Sequence, residues 1–294
     1  KEEHMFYMLE IIKKCPHLTK LFVPYIGTDD LLEVIGHHCR KLQVLDISGQ
    51  TDITDIGLGY LCFGVCTNLK VVDIGMPGEE NVCFTDIALI LEHCPNLETL
   101  STYSFVGLAL KYVYDNVNEM FQCKLKYLHD TATDEEALRV IVKTCPKLES
   151  LYLDGPSPGI LHQLNRLSLR KLKVYKFSCE ELMKVLEEIG QNIRHLTLIK
   201  GSELLEISSL ARSCHSLVDL DCYMMEGLGY THANLNFQCL EGLEMLSSPM
   251  SSSALKTFLC NSSQLKRLAI DNVSFNDEEL ARWVSPYYIN LEAI

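Results

Sequence analysis

Apolar and polar residues alternate along this chain in short bursts, and the bursts return at a nearly constant interval. A leucine or isoleucine opens twelve of them, at Leu18, Leu42, Leu69, Leu97, Leu125, Leu148, Leu172, Ile193, Leu217, Leu243, Leu265 and Leu291, with steps of 21 to 28 residues and a mean of about 25. The clearest burst runs from Cys39 to Gly49. Its alternation puts Leu45 and Ile47 on one face of a strand and Val44, Asp46 and Ser48 on the other. The spacing then predicts a helix, with Thr54 or Asp55 as its N-cap and Leu58 and Leu61 on one apolar stripe. Thr133 with Glu136, Ser178 with Glu181 and Asn276 with Glu279 have the spacing of capping boxes or their Asn variant. Leu182, Val185, Leu186 and Ile189 follow at the i, i+3, i+4, i+7 positions that a half-buried helix needs.

A strand-plus-helix unit of this length falls in the window of leucine-rich repeats. The expected fold is therefore an α/β solenoid, a horseshoe of about twelve repeats with parallel strands on the concave face and helices on the convex face. Each repeat packs only on its neighbours, so residues 1–294 read as one continuous domain. Strands stack at about 4.8 Å while helices need about 10 Å, which bends the array and gives an inner arc of roughly 53 Å. That length suits a protein surface or peptide better than a metabolite.

If the register follows those leucines, the outward strand positions are Lys20 and Phe22, Val44 and Asp46, Val71 and Asp73, Thr99 and Ser101, Tyr127 and His129, Ser150 and Tyr152, Val174 and Lys176, His195 and Thr197, Asp219 and Asp221, and Met245 and Ser247. Tyr103, Asp154 and Tyr223 occupy the next outward step. Three connections break the pattern: Gly75–Cys83, Asp154–Gly159 and Tyr223–Asn234. Loops on a rigid scaffold are where recognition residues collect. The candidate partner-binding set is Tyr103, Tyr127, His129, Tyr152, His195, Asp219, Asp221 and Tyr223 on the wall, with Tyr230 in the last irregular loop. Tyrosine offers area and a hydroxyl at low entropy cost, and the acids select Lys or Arg on a partner. The plain alternative is that any exposed strand face carries Tyr, Thr and Asp.

The formal net charge of −13 repels phosphate backbones and removes nucleic acid as a partner class. It favours a protein partner with a basic surface. The longest apolar candidate, Ile56 to Val65, falls short of the ~18 residues of a membrane span, and no leader peptide is evident. The 13 cysteines are odd in number and mostly one per repeat, which reads as reduced core thiols and a cytoplasmic or nuclear location. The tripeptides at Asn261 and Asn272 are the feature pulling the other way. No catalytic motif and no cofactor fingerprint occur, and the expectation is a protein that is no enzyme and takes no cofactor. Cys62 with Cys66, and His37-His38-Cys39 with His93-Cys94, are the only thinkable metal groups. Repeat packing alone accounts for both, so no metal is expected.

The strings C-x-x-L-x-x-L-D-I at Cys39–Ile47 and C-x-x-L-x-x-V-D-I at Cys66–Ile74, with I-T-D-x-G-L at Ile53–Leu58 and F-T-D-x-A-L at Phe84–Leu89, resemble the cysteine-containing subclass of leucine-rich repeats. The resemblance is sharpest in the first four units and extends in weaker form over nearly the whole chain. It implies the substrate-binding domain of F-box/leucine-rich-repeat proteins, receptors of cullin-RING ubiquitin ligases that dock through a separate helical motif on a Skp-type adaptor. Relatives without an F-box act as ligase-independent scaffolds or regulatory adaptors. Nothing between Lys1 and Leu21 reads as an F-box, because Met5–Lys14 already supplies the helix of the Cys15 unit. The opening Lys and the ending inside a repeat strand are expected of a fragment whose F-box or cap lies elsewhere. Some plant relatives bind a small hormone or inositol phosphate, which needs clustered Lys and Arg on the inner face. On that face only Lys20, Lys176 and Arg267 appear.

Overall fold

The computed structural model describes residues 2–64, 66–77, 81–102, 106–131, 134–229, 237–250, 255 and 258–271. By its internal contacts the chain divides into two units, Lys1–Leu148 and Glu149–Ile294.

In the first unit α1 (Glu2–Lys13), β1 (Lys20–Phe22), α2 (Asp29–His38), β2 (Val44–Asp46), a short β3 (Gln50–Thr51), α3 (Asp55–Gly64), β4 (Val71–Pro77), α4 (Phe84–His93), β5 (Thr99–Thr102), α5 (Val106–Asn116), β6 (Tyr127–Thr131) and α6 (Glu135–Thr144) follow in turn. Strands β1, β2, β4, β5 and β6 pair in parallel in chain order. Consecutive helices pack side by side. The second unit holds β7 (Ser150–Asp154), β8 (Lys171–Ser178), α7 (Cys179–Ile189), β9 (His195–Ser202), β10 (Leu204–Glu206), α8 (Ile207–Ser213), β11 (Asp219–Tyr223), β12 (Gly227–Gly229), β13 (Gly242–Leu246) and β14 (Arg267–Ile270). Its main sheet runs β7-β8-β9-β11-β13-β14, again parallel, with β10 and β12 forming a separate pair. Parallel neighbours joined through helices or longer turns are the right-handed crossover arrangement that a repeated strand-plus-helix sequence favours. The expected α/β leucine-rich repeat solenoid is the fold of this chain.

The Cys-x-x-Leu string has a mechanical reading. Cys39, Cys94, Cys145 and Cys214 each follow a helix directly and donate their backbone N–H to the carbonyl four residues back. Their own carbonyls then accept from Leu42, Leu97, Leu148 and Leu217 at 2.9–3.1 Å. The chain thus turns from helix to strand in three residues, and all four of these cysteines are buried. The strand core is equally regular: Leu45, Val72, Leu100 and Leu128 are fully buried, as are Leu196 and Leu220 in the second unit. Each such leucine contributes about 1.5–3 kcal/mol by leaving water.

In two places the observed register departs from the sequence reading. Leu172 pairs with Leu151 and Leu243 with Leu220, so the residues equivalent to Leu148 and Leu217 are Leu169 and Leu240. The cause at Leu169 is the connection: after Asp154–Gly159 a six-residue 3₁₀ helix, Leu161–Arg166, stands where the first unit has α-helices of ten to twelve residues, shortening the unit by about one turn. Val174 and Met245 are consequently buried core residues, and the outward positions are Lys171 and Lys173, then Gly242 and Glu244.

The caps follow expectation in part. Thr54 Oγ1 accepts from Ile56 N–H at α3, and Ser178 accepts from the Glu181 N–H at the start of α7, but Glu181 turns its carboxylate to the Gly159 and Leu161 N–H groups and leaves the expected capping box half formed. At α6 the cap is Asp134, one residue later than expected, accepting from Ala137 N–H at 2.7 Å. Thr133, Asn276 and Leu291 lie outside the described residues. The long Gly75–Cys83 connection begins as strand, since β4 continues to Pro77 and pairs Met76 and Pro77 with β3.

Candidate functional site

Each unit presents a sheet face turned away from its helices. In the first unit Asp46 and Asp73 stand on that face, but each carboxylate accepts a backbone N–H two residues on, from Ser48 and Gly75 at 3.0 and 2.9 Å. They are strand-end turn formers. Burial is the main cause that raises the Asp73 carboxyl above its usual range, against the Gly75 bond. Tyr127 is half-buried in the outward row, whereas His129 is only 3% exposed and therefore contributes little open surface, contrary to the reading that put it on an accessible wall. Tyr103 and Tyr230 lie outside the described residues.

The second unit brings together more of the expected residues: Tyr152, His195, Asp219, Asp221 and Tyr223 all stand in the outward rows. His195 Nδ1 lies 2.8 Å from Asp219 Oδ2, and Arg267 Nη2 donates to Asp219 Oδ1 at 2.5 Å. Asp219 is thereby held from both sides. Thr197 Oγ1 donates to Asp221 Oδ2 at 3.0 Å. Gly242 keeps the floor open: a Cβ there would stand 2.2 Å from Asp219 Oδ1. The result is a depression of about 310 Å³ lined by Asp219, Asp221, Gly242, Glu244, Arg267 and Ala269. Tyr223 interacts with Glu244, and burial followed by that bond raises its phenol well above the usual range.

Sequence reasoning missed the opposite half of this face. Lys171 and Lys173 stand on β8, and Lys173 Nζ lies 4.4 Å from the ring centre of Tyr152. Lys200 Nζ donates to Tyr175 Oη at 3.1 Å, and Lys176 lies 5.1 Å from the same ring. Lys176, Lys200, Met224 and Ser247 occupy equivalent left-handed positions at the strand ends, with φ of 51°, 53°, 52° and 54°; Gly155, at 62°, holds the same place after β7. The glycine was the sequence signal for this turn, and the charged residues on the same corner hid it. The turn lifts the Lys176 and Lys200 ammonium groups beside Tyr175. The face therefore divides into a basic, tyrosine-rich half on β8 and β9 and an acidic half on β11 and β13. Lys171, Lys173 and Lys200 add to Lys176 and Arg267, the two cations of this face that the sequence reading named.

Burial, opposed by the Thr197 bond, raises the Asp221 carboxyl above its usual range. The folded state then holds the proton more tightly than the unfolded chain. The contribution of this group to stability is complete below about pH 3.9, the unfolded carboxylate value, and is lost as pH rises through the folded one. Asp221→Asn is expected to stabilise the protein at pH 7 and to lose that advantage near pH 4, measured by urea unfolding at both values.

Among the described residues no group of three or more His, Cys, Asp or Glu converges as a metal site, and no helix is long and apolar enough to cross a membrane. No family model matches the chain, and neither does any curated protein. Among solved structures it is similar to an internalin of Listeria monocytogenes, with 19% identity and a TM-score of 0.54 over 97% of this chain and 81% of that one. It is also similar to a leucine-rich repeat protein of Leptospira interrogans, with 15% identity and a TM-score of 0.44 over 97% of this chain and 74% of that one. The first likeness concerns the leucine-rich repeat fold alone.

Proposed function

We propose that this chain is a non-catalytic protein-recognition domain, the substrate-binding repeats of an F-box-type receptor of a cullin-RING ubiquitin ligase, acting in the cytoplasm or nucleus. Contact with the Skp-type adaptor belongs to a region outside these residues. The observation that carries the recognition role is the charge-divided sheet face of residues 150–269, where tyrosines and opposite charges converge on rigid strands. Aromatic groups on a preorganised scaffold are favoured anchors for a protein partner. The ligase assignment is supported by the buried cysteine that closes four of the helices, the repeat grammar of that receptor class.

The face fits a partner segment carrying both signs of charge, rather than the uniformly basic one suggested by net charge. Lys173 on β8 and Glu244 on β13 are three strand steps apart, about 14 Å, which an extended peptide spans in about four residues. An acidic residue against Lys171 and Lys173, with a basic one four residues on against Asp221 and Glu244, satisfies both halves.

The test is affinity capture of the intact protein from its own cells, read by mass spectrometry, beside Lys171→Glu combined with Lys173→Glu. Recovery of adaptor and cullin with both proteins, with bound substrate reduced about tenfold or more by the double reversal, is the expected result. Absence of the adaptor from the intact protein overturns the ligase role in favour of a ligase-independent scaffold. Undiminished substrate overturns the assignment of this face.

A further inference from the structure

In most cysteine-bearing repeats the cysteine precedes the first leucine by three residues, and there Cys39 Sγ reaches the carbonyl of Cys15 at 4.0 Å. The repeat of Leu125 breaks that spacing. Gln122 holds the usual place and the cysteine comes one residue later, at Cys123. The shift brings its sulfur to 3.2 Å from Cys145 Sγ. Both groups are held by their backbones: Cys123 N–H donates to Thr144 O at 2.9 Å and Cys145 N–H to Ile141 O at 2.9 Å. The Cys123 thiol also reaches the Thr144 carbonyl at 3.5 Å, and Thr144 Oγ1, anchored on Val140 O at 2.8 Å, lies 3.6 Å from Cys145 Sγ.

We propose that Cys123 and Cys145 form an oxidation site at which a peroxide converts two neighbouring thiols into a disulfide that closes one whole repeat, β6 with α6, into a ring. A disulfide requires an S–S distance of about 2.0 Å, so the sulfurs approach by about 1.2 Å, within the reach of side-chain rotation. The two thiols are unequal. Cys123 is partly exposed and meets the oxidant, while Cys145 is fully buried. The bond given by the Cys145 thiol lowers the Cys123 pKa, and giving that bond, with burial, raises that of Cys145. Cys123 is then the readier of the two to ionise and the one that attacks.

In the first step the Cys123 sulfur attacks one peroxide oxygen, the O–O bond breaks, and the sulfur is oxidised to a sulfenic acid while the departing hydroxide takes the proton given up by the Cys123 thiol and leaves as one water. In the second, the Cys145 sulfur attacks the Cys123 sulfur, the S–O bond breaks, and the departing hydroxyl takes the Cys145 proton to leave as a second water. Two thiols and one peroxide give one disulfide and two waters.

The probe is hydrogen peroxide added to the fully reduced protein, followed by alkylation, digestion without reductant and mass spectrometry. The expected product is a Cys123–Cys145 cross-linked peptide pair, lighter than the two free peptides by two hydrogen atoms and restored by dithiothreitol. In Cys145→Ser, Cys123 stops at the sulfenic acid and is trapped by dimedone; in Cys123→Ser, Cys145 stays reduced. The exposed Cys83, Cys239 and Cys260 are alkylated throughout and serve as internal controls. The proposal is overturned when wild-type Cys145 remains alkylatable after peroxide and unfolding, or when Cys123 pairs with a different cysteine. The wild-type map stands whether or not either variant folds.

Discussion

Val174→Asp is expected to unfold the unit of residues 149–294, whereas Lys173→Asp, one position earlier on the same strand, leaves its stability within about 0.5 kcal/mol. Val174 is 0% exposed and faces the helix side of β8 between Leu172 and the Leu153 and Leu198 rows. A carboxylate there has neither water nor a cation, and a buried unpaired charge of this kind costs on the order of 4 kcal/mol or more, a large share of the roughly 5–15 kcal/mol of a typical domain. Lys173 projects to the open face beside Tyr152, so the same new carboxylate stays hydrated and changes partner binding instead of folding. Circular dichroism through a urea titration of both variants is the measurement. The reverse sensitivity, with Lys173→Asp unfolded and Val174→Asp intact, would mean that β8 carries the register read from Leu172 as the first leucine.

That alternative register shows where sequence legibility ended. The repeat length, the alternation within Cys39–Gly49 and the stripe Leu182, Val185, Leu186, Ile189 are local patterns fixed by burying one face, and all four stripe residues are buried. Between Gly159 and Lys173, however, leucines stand at 161, 164, 167, 169 and 172, and a constant repeat length selects the last of them. What displaces the true position to Leu169 is the short 3₁₀ helix, and nothing in apolar spacing separates a six-residue helix from a ten-residue one. The error then moved a core valine onto the wall and removed two lysines from it. Of the acidic half, Asp219 and Asp221 were legible because they lie in a repeat of ordinary length, whereas Glu244 was lost to the register slip at Leu243. The Cys123–Cys145 contact was not, since Cys123 falls off the column that made the other cysteines recognisable.

Gly36→Val is expected to destabilise the first unit by about 3 kcal/mol, and Gly59→Ala, on the facing helix, to stabilise it by about 0.5–1 kcal/mol. The two glycines look alike in sequence, each interior to a helix, and the packing separates them. A Cβ on Gly36 would stand 2.5 Å from the carbonyl oxygen of Tyr60 and 3.1 Å from its carbon, both backbone atoms of α3. Gly64 returns the contact, its own Cβ position lying 2.3 Å from Gly36 O. Backbone meets backbone along this line, so any side chain at position 36 forces α2 and α3 apart and strips the contacts of Leu32, Ile35 and Leu61, which are fully buried. No heavy atom lies within 4 Å of a Cβ on Gly59, where the added methyl only reduces the freedom of the unfolded chain. Urea midpoints measured on the two variants should therefore move in opposite directions. An unchanged midpoint for Gly36→Val would mean that α2 and α3 do not touch through glycine, and that the close helix spacing of these repeats is set elsewhere.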